Sequence, residues 1–470
     1  MSTREDSAPS LPIRSRDDLI QWIAVGSKPS ERWRIGTEHE KFLFATKTHA
    51  PVTYNGRHGV RAIMEQLIAR FGWLPIMEGE TIIALKRPSD ETGTAIGGNV
   101  SLEPGGQFEL SGAPRETLHQ VEAETRAHLD EMKVIGREFG VGMLGIGHSP
   151  TWSRAETPTM PKRRYGVMTR YMPKVGSRGL DMMYRTCTIQ VNLDFASEAD
   201  MVQKLRVSLA LQPIATAIFA SSPFTEGKPN GFKSMRAEIW RDTDNARAGN
   251  LPFAFEAGMG FERYVDYALD VPMYFIYRDG QYIDVAGASF RDFMSGTLAK
   301  KLGRPELAEV TATIDDWGDH LTTLFPDVRL KRFLEMRGAD GGGLDKIVGL
   351  PALWVGLLYD KTALDSAAAL IKDWTAAERT ALRDQVPRTA LATRFRNGTV
   401  QDIARDVVSI AHQGLKARAR LDAQRRDETH FLEPVEGIVR SGTTLADELL
   451  ARYDRPWGRS VAPAFTQFSI

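Results

Sequence analysis

Four stretches of this sequence set polar, mostly acidic side chains where a strand would turn them to one side. In Ile35-Gly-Thr-Glu38-His-Glu40-Lys-Phe-Leu-Phe44, the two glutamates are two residues apart. In a strand both project from one face, roughly 7 Å apart by the rise per residue. Two anions in line with Phe42 and Phe44 repel each other unless cations sit between them. Ser101-Leu-Glu103-Pro-Gly-Gly-Gln107-Phe-Glu109 brings Glu103 and Glu109 close across a turn, with Gln107 and Glu109 sharing a face. The turn glycines also permit close backbone approach to a ligand such as a phosphate. In Thr186–Phe195, residues 187, 189, 191, 193 and 195 are apolar, while Thr188, Gln190, Asn192 and Asp194 point the other way. Phe333-Leu-Glu335-Met-Arg337 places a carboxylate and a guanidinium on one face. Taken singly, each pattern also fits a solvated strand face, a polar hairpin or a structural ion pair.

Hard oxygen donors, nine histidines and a single cysteine point to Mg²⁺ or Mn²⁺ rather than zinc. Magnesium held by carboxylates ordinarily serves phosphates, whose oxygens it bridges. The run Met235-Arg236-Ala-Glu-Ile-Trp240-Arg241 suits bidentate binding of a carboxylate or phosphate.

The elements that must position these groups are legible around them. Ser15-x-x-Asp18 opens a short helix that ends at Gly26. Trp33–Phe44 suits a strand, and Arg61–Phe71 a helix stopped by Gly72. Two short strands flank the 104–106 turn, and Pro114–Phe139 reads as a long amphipathic helix closed by Gly140. Ser197-x-x-Asp200 caps a helix running towards Phe219, and Arg278-Asp279-Gly280 marks a hairpin. Beyond about Leu350 the strands stop; 365–374, 376–385, 400–421 and 445–453 are helical by pattern. The expected organisation is an α+β body over residues 1–360 and a helical lobe over 361–470 packed on it, or one domain overall. Residues 1 to about 12 read as a loose arm.

Composition excludes several classes. Sixty basic and sixty acidic residues cancel, which gives no electrostatic case for nucleic acid or an anionic membrane. Cys187 is the only cysteine, so an intrachain disulfide and a Cys₄ or Cys₂His₂ zinc site are ruled out. A reducing compartment, an N-terminus lacking an apolar signal core and an interrupted apolar stretch at 209–224 lead to a cytosolic expectation. There is no P-loop, kinase signature or dinucleotide fingerprint, and Gly145-x-Gly-His148-Ser149 lacks a nucleophile elbow.

With these segments in order, the sequence resembles the glutamate–cysteine ligases of the plant and alphaproteobacterial type. The strings that carry it are Gly-Thr-Glu-His-Glu (36–40), Val-Ser-Leu-Glu-Pro-Gly-Gly-Gln-Phe-Glu-Leu-Ser-Gly (100–112), the 170–195 stretch, Phe-Leu-Glu-Met-Arg-Gly (333–338) and Leu-Pro-Ala-Leu-Trp-Val-Gly-Leu-Leu-Tyr-Asp (350–360). The resemblance implies a glutamine-synthetase-like fold, a curved, mostly antiparallel sheet forming a funnel and backed by helices. It implies ATP-dependent joining of the L-glutamate γ-carboxylate to the amine of L-cysteine, with magnesium held by Glu38, Glu40, Glu103, Glu109 and Glu335. It places Arg337 and Glu335 at the reacting phosphoryl group, and Gln190, Asn192 and Gln107 near the nucleotide. The amino-acid pocket is expected around Arg170, Tyr171, Arg185, Arg236 and Arg241. Rival readings are a related ligase with another amine or acid, a metal-dependent phosphohydrolase, and a non-catalytic binder. The expected partners are small molecules only, with the chain a monomer or a homodimer. Plant members carry cysteines thought to form regulatory disulfides; with Cys187 alone, this chain inherits neither that switch nor disulfide-linked dimerisation.

Overall fold

The computed structural model describes residues 10–88 and 97–470; the loose arm expected over 1–12 lies mostly outside them. Its last residues are tied down, because the Ile13 amide donates to Ala312 O and the Ile314 amide to Leu11 O.

A nine-stranded antiparallel sheet organises the molecule. Its strands are β1 (Ile35–Ala45), β2 (Leu74–Glu78), β3 (Thr81–Lys86), β4 (Asn99–Leu102), β5 (Phe108–Ser111), β6 (Val141–Leu144), β7 (Thr188–Leu193), β8 (Val328–Leu330) and β9 (Leu334–Asp340). They run in the order β8-β9-β7-β1-β5-β4-β3-β2, with β6 pairing the second half of β1. The long β1 is central because Glu38 lies opposite both Gln190 of β7 and Ser111 of β5. Registry then fixes the chemistry: Glu335 sits opposite Asn192, and Glu40 opposite Glu109. The register shifts between Met336 and Ala339, a bulge that takes in Arg337 within β9.

Alternation along β7 is as the sequence requires. Ile189, Val191 and Leu193 are fully buried against helices, in one core with α1 (Leu118–Phe139), α2 (Glu198–Ile218) and α4 (Leu344–Leu358). A short helix, α3 (Met235–Ile239), carries Arg236 towards the opposite face of the sheet. The long helix starts at Leu118, four residues after Pro114, because Thr117 supplies the cap and Gln120 closes the capping box.

Beyond α4 come α5 (Ala376–Thr389) and α6 (Val400–Arg418), together with further short helices. One small hairpin, Arg394–Phe395 with Gly398–Thr399, interrupts the helical stretch where only helices were expected. The core that holds β7 also takes in Val400, Val407, Ala411 and Leu415 of α6. Two glycines let α4 and α6 approach closely: a Cβ on Gly414 would stand 1.9 Å from Gly356 O, and one on Gly356 would stand 2.2 Å from Ala411 O.

Candidate active site

The polar face of the sheet forms one wall of a cavity of about 60 Å³, and four carboxylates line it: Glu38, Glu40, Glu103 and Glu109. Gln107, Thr188, Gln190, Arg236, Arg329 and Arg337 share the lining. Glu38 and Glu40 come from β1, Glu109 from β5, and Glu103 from the turn between β4 and β5. That turn is pinned from both sides. The Gln107 amide accepts from Gly105 N at 2.9 Å and donates to Met183 O and Thr186 O at 3.2 and 2.8 Å. A Cβ on Gly105 would stand 2.1 Å from Tyr184 O. The close approach that the turn glycines permit is therefore to the chain's own backbone rather than to a phosphate, and the Gln107 side chain is spent on the turn.

Burial and mutual repulsion raise three of the four acids, while Glu109, despite its burial, is lowered by the Ser101 hydroxyl and the nearby Lys162. Desolvation raises Glu40 well above the usual carboxylate range, and Glu103 and Glu109 push the same way. Glu103 is pushed up to about 7 by burial and by Glu109. Glu38 is raised by burial and by Glu335. Ser101 Oγ donates to Glu109 at 2.7 Å, Thr188 N to Glu40 at 2.9 Å, and Asn192 Nδ2 to Glu38 at 2.8 Å. A cluster that must take up protons to relieve its charge is a cluster that a divalent cation would relieve.

Glu335 differs from the other acids. It is fully buried, does not line the cavity, and is held by Arg329, Lys331 and Arg337. Despite burial these cations depress its carboxyl well below the ordinary range. Three cations around one carboxylate leave a surplus of two positive charges, and Arg337 also donates to Gln190 Oε1. The site is therefore polarised, with anions at one end and a cationic cluster at the other. Arg329 and Lys331 escape notice in the sequence; their only signal is two-residue alternation within Val328-Arg-Leu-Lys331.

The donor set fits a hard divalent cation with one adjustment. Glu38, Glu40, Glu103 and Glu109 supply oxygen donors, while Glu335, expected among the ligands, is already neutralised. Among the described residues no three His, Cys, Asp or Glu side chains enclose a cation by themselves. A metal here would complete its shell with water and substrate oxygens, as magnesium commonly does.

Of the five residues expected around an amino acid, only Arg236 reaches the cavity. Arg170 is exposed and pairs with Asp284 at 2.9 Å. Tyr171 packs edge-on against Tyr274. Arg185 is buried but committed to Asp181 and Glu226, and Arg241 to Glu238 and Asp384. Arg236 also lines an adjoining chamber of about 40 Å³, which shares Trp240, Phe325 and Arg337 with the first. In that chamber the Gln212 side chain is buried, and neither of its amide atoms has a hydrogen-bond partner among the described residues. Tyr165, unremarked in the sequence, lines the main cavity and donates to Leu102 O at 2.5 Å.

Comparison with known proteins decides the family. The sequence model of glutamate-cysteine ligase family 2 (GCS2) matches residues 34–466. The chain belongs to that family. It is 53% identical over 463 residues to the chloroplastic glutamate–cysteine ligase of Nicotiana tabacum, covering 98% of this chain and 84% of the relative. The chloroplastic enzyme of Brassica juncea is also 53% identical, over 99% of this chain and 86% of that one. The crystal structure of Francisella tularensis glutamate–cysteine ligase in complex with AMP shares the fold at a TM-score of 0.50 and 13% identity, covering 93% of this chain and 89% of that one.

These relatives of the GCS2 chain correct one expectation. They are named chloroplastic and so point to a plastid, which overturns the cytosolic placement. The physical reason is plain: a low cysteine count reports a reducing environment, and the cytosol is not the only one. Cys187 is free and fully buried, and burial drives its thiol well above the ordinary range. Among the described residues no single helix is long and apolar enough to cross a membrane.

Proposed function

We propose that this GCS2 chain is a glutamate–cysteine ligase, joining the γ-carboxylate of L-glutamate to the amine of L-cysteine with consumption of ATP, the first step of glutathione synthesis. The observation that carries the reading is the convergence of Glu38, Glu40, Glu103 and Glu109 on one cavity that faces Arg236 and the cluster around Glu335. Near-full-length identity to enzymes of that name supports the substrates.

Each part of the cavity has a task in that reaction. Bound Mg²⁺, held by Glu38, Glu40, Glu103 and Glu109, would neutralise phosphate oxygens. Arg337 and Arg329, held rigid by Glu335, supply positive charge against the phosphoryl group as it passes to the glutamate γ-carboxylate. Gln190 and Asn192 lie beside that cluster and are assigned to the nucleotide, and Asn192 Oδ1 has no hydrogen-bond partner among the described residues. Arg236, on the wall between the two chambers, is assigned to a substrate carboxylate. The cysteine amine then displaces phosphate from the γ-glutamyl phosphate. Tyr165, Trp240, Phe325 and the 182–183 methionines enclose the cavity, which keeps water from that acyl phosphate. Residues 361–470 share a core with the sheet body, so we read the chain as one body rather than two domains.

The test is an assay of purified protein with ATP, Mg²⁺, glutamate and a panel of amines. Formation of γ-glutamylcysteine and ADP, dependent on every component, is expected. Phosphate release without an amide, or a marked preference for another amine, would overturn the assignment.

A further inference from the structure

We propose that Asp340, which the reaction as described leaves without a role, is the positioning residue that sets Arg236 in the site; the proposal rests on the ligase reading above. Asp340 closes β9 opposite Thr188, is fully buried, and belongs to neither chamber. Its carboxylate receives three donors: Ser234 Oγ on Oδ1 at 2.7 Å, and Ser222 Oγ and Ser221 N on Oδ2 at 2.6 and 2.9 Å.

The two hydroxyls relay this grip to α3. Ser234 Oγ accepts from Ala237 N at 3.1 Å, and Ser222 Oγ accepts from Arg236 N at 3.3 Å. The first free amides of the helix that carries Arg236 are thus satisfied by hydroxyls whose protons both go to Asp340. The same strand holds the other end of that arginine, whose Nη2 donates to Arg337 O at 2.8 Å. Asp340 and Glu40 both attract the guanidinium. On one side Gly147 packs against this carboxylate, so close that a Cβ there would stand 2.3 Å from Asp340 Cγ. β9 therefore fixes Arg236 at its backbone, through Asp340 and the two hydroxyls, and at its guanidinium, on which Glu40 of the cavity also pulls.

The experiment is a double-mutant cycle of D340N and R236K in the full-length enzyme, following KM for each amino acid, KM for ATP, kcat and thermal midpoint. D340N is expected to raise KM for one amino acid about tenfold, the same one that R236K affects, and to leave KM for ATP within twofold. The double variant should be no more than about threefold worse than the poorer single one. Multiplying effects, or losses shared equally among all three substrates, would overturn the proposal in favour of a merely structural aspartate. Should D340N fail to fold, S222A and S234A carry the test, each expected to raise that same KM several-fold; unchanged values in both would overturn it. A wild-type enzyme that forms no γ-glutamylcysteine would instead sink the ligase reading.

Discussion

The Arg329 guanidinium straddles the Glu335 carboxylate, with Nη2 at 2.7 and 2.9 Å from its two oxygens and Nε at 3.2 Å from one. With Lys331 and Arg337 on the same carboxylate, Glu335 is the counter-charge that allows three cations to be held together beside the cavity. Removing it strands them. E335Q is expected to cost about 3–5 kcal/mol of stability, read as a lowered denaturation midpoint, with activity lost alongside folding. The depressed carboxyl also fixes the pH direction: its contribution is fully present above the ordinary carboxylate range and fades only as pH falls towards its own low value. A variant that folds with wild-type stability would overturn the counter-charge role of Glu335.

E38Q and E40Q should behave in the opposite way. Both acids are held above their ordinary range by burial and like charge, so neutralising either one relieves strain in the metal-free protein. Turnover is expected to fall at least a hundredfold, on the order of the loss of a charge-stabilising group, while the thermal midpoint without Mg²⁺ stays equal or rises. Calorimetry and steady-state rates on the same preparations check both halves.

Magnesium binding should depend on pH. With Glu103 at about 7, protons compete with the cation below neutrality and withdraw above it. In the metal-free protein the raised carboxyl costs stability as pH climbs from its ordinary value of 4.5 to about 7, and the cation reverses that cost. The rise in thermal midpoint on adding Mg²⁺ is therefore expected to be larger at pH 8 than at pH 6. An equal rise at both would remove Glu103 from the metal site.

Arg170 offers a control. Its side chain is 64% exposed and pairs with a 41% exposed Asp284, an arrangement worth about 0–1 kcal/mol. R170A should leave every KM within twofold and the thermal midpoint within about a degree. A selective rise in one amino-acid KM would return Arg170 to the substrate pocket.

The crossing of α4 and α6 tests whether the chain is one body. G414A would push a methyl to 1.9 Å from Gly356 O, so the helices must separate, at an expected cost of about 1–3 kcal/mol or more. Differential scanning calorimetry should show one transition moving down as a whole. A second transition split from the first would mean that the C-terminal helices unfold as a separate domain.

Local pattern was enough to reveal much of this protein. The alternation of residues 187–195 placed Gln190 and Asn192 opposite a buried apolar face, and Glu38 and Glu40 had to share a side because strand geometry repeats every two residues. Short-range chemistry likewise located the caps at Ser15 and Ser197 and the turn at 104–106, whereas the long helix expected from Pro114 is capped by Thr117. The roles that depended on partners far away in the chain were not legible. Glu335 looked like one more cavity acid until Arg329 and Lys331, on the neighbouring strand and its turn, closed over it. Arg170, Arg185 and Arg241 looked like anion binders until Asp284, Glu226 and Asp384 claimed them. Lys41, on the reverse face of β1, gives no sign in the sequence that it lies fully buried with its amine pushed down to about 7 by desolvation. Which side of a strand a residue faces follows from backbone periodicity, a local property. Whether a charge is free or already paired is a sum over neighbours that only the folded chain brings within a few ångströms.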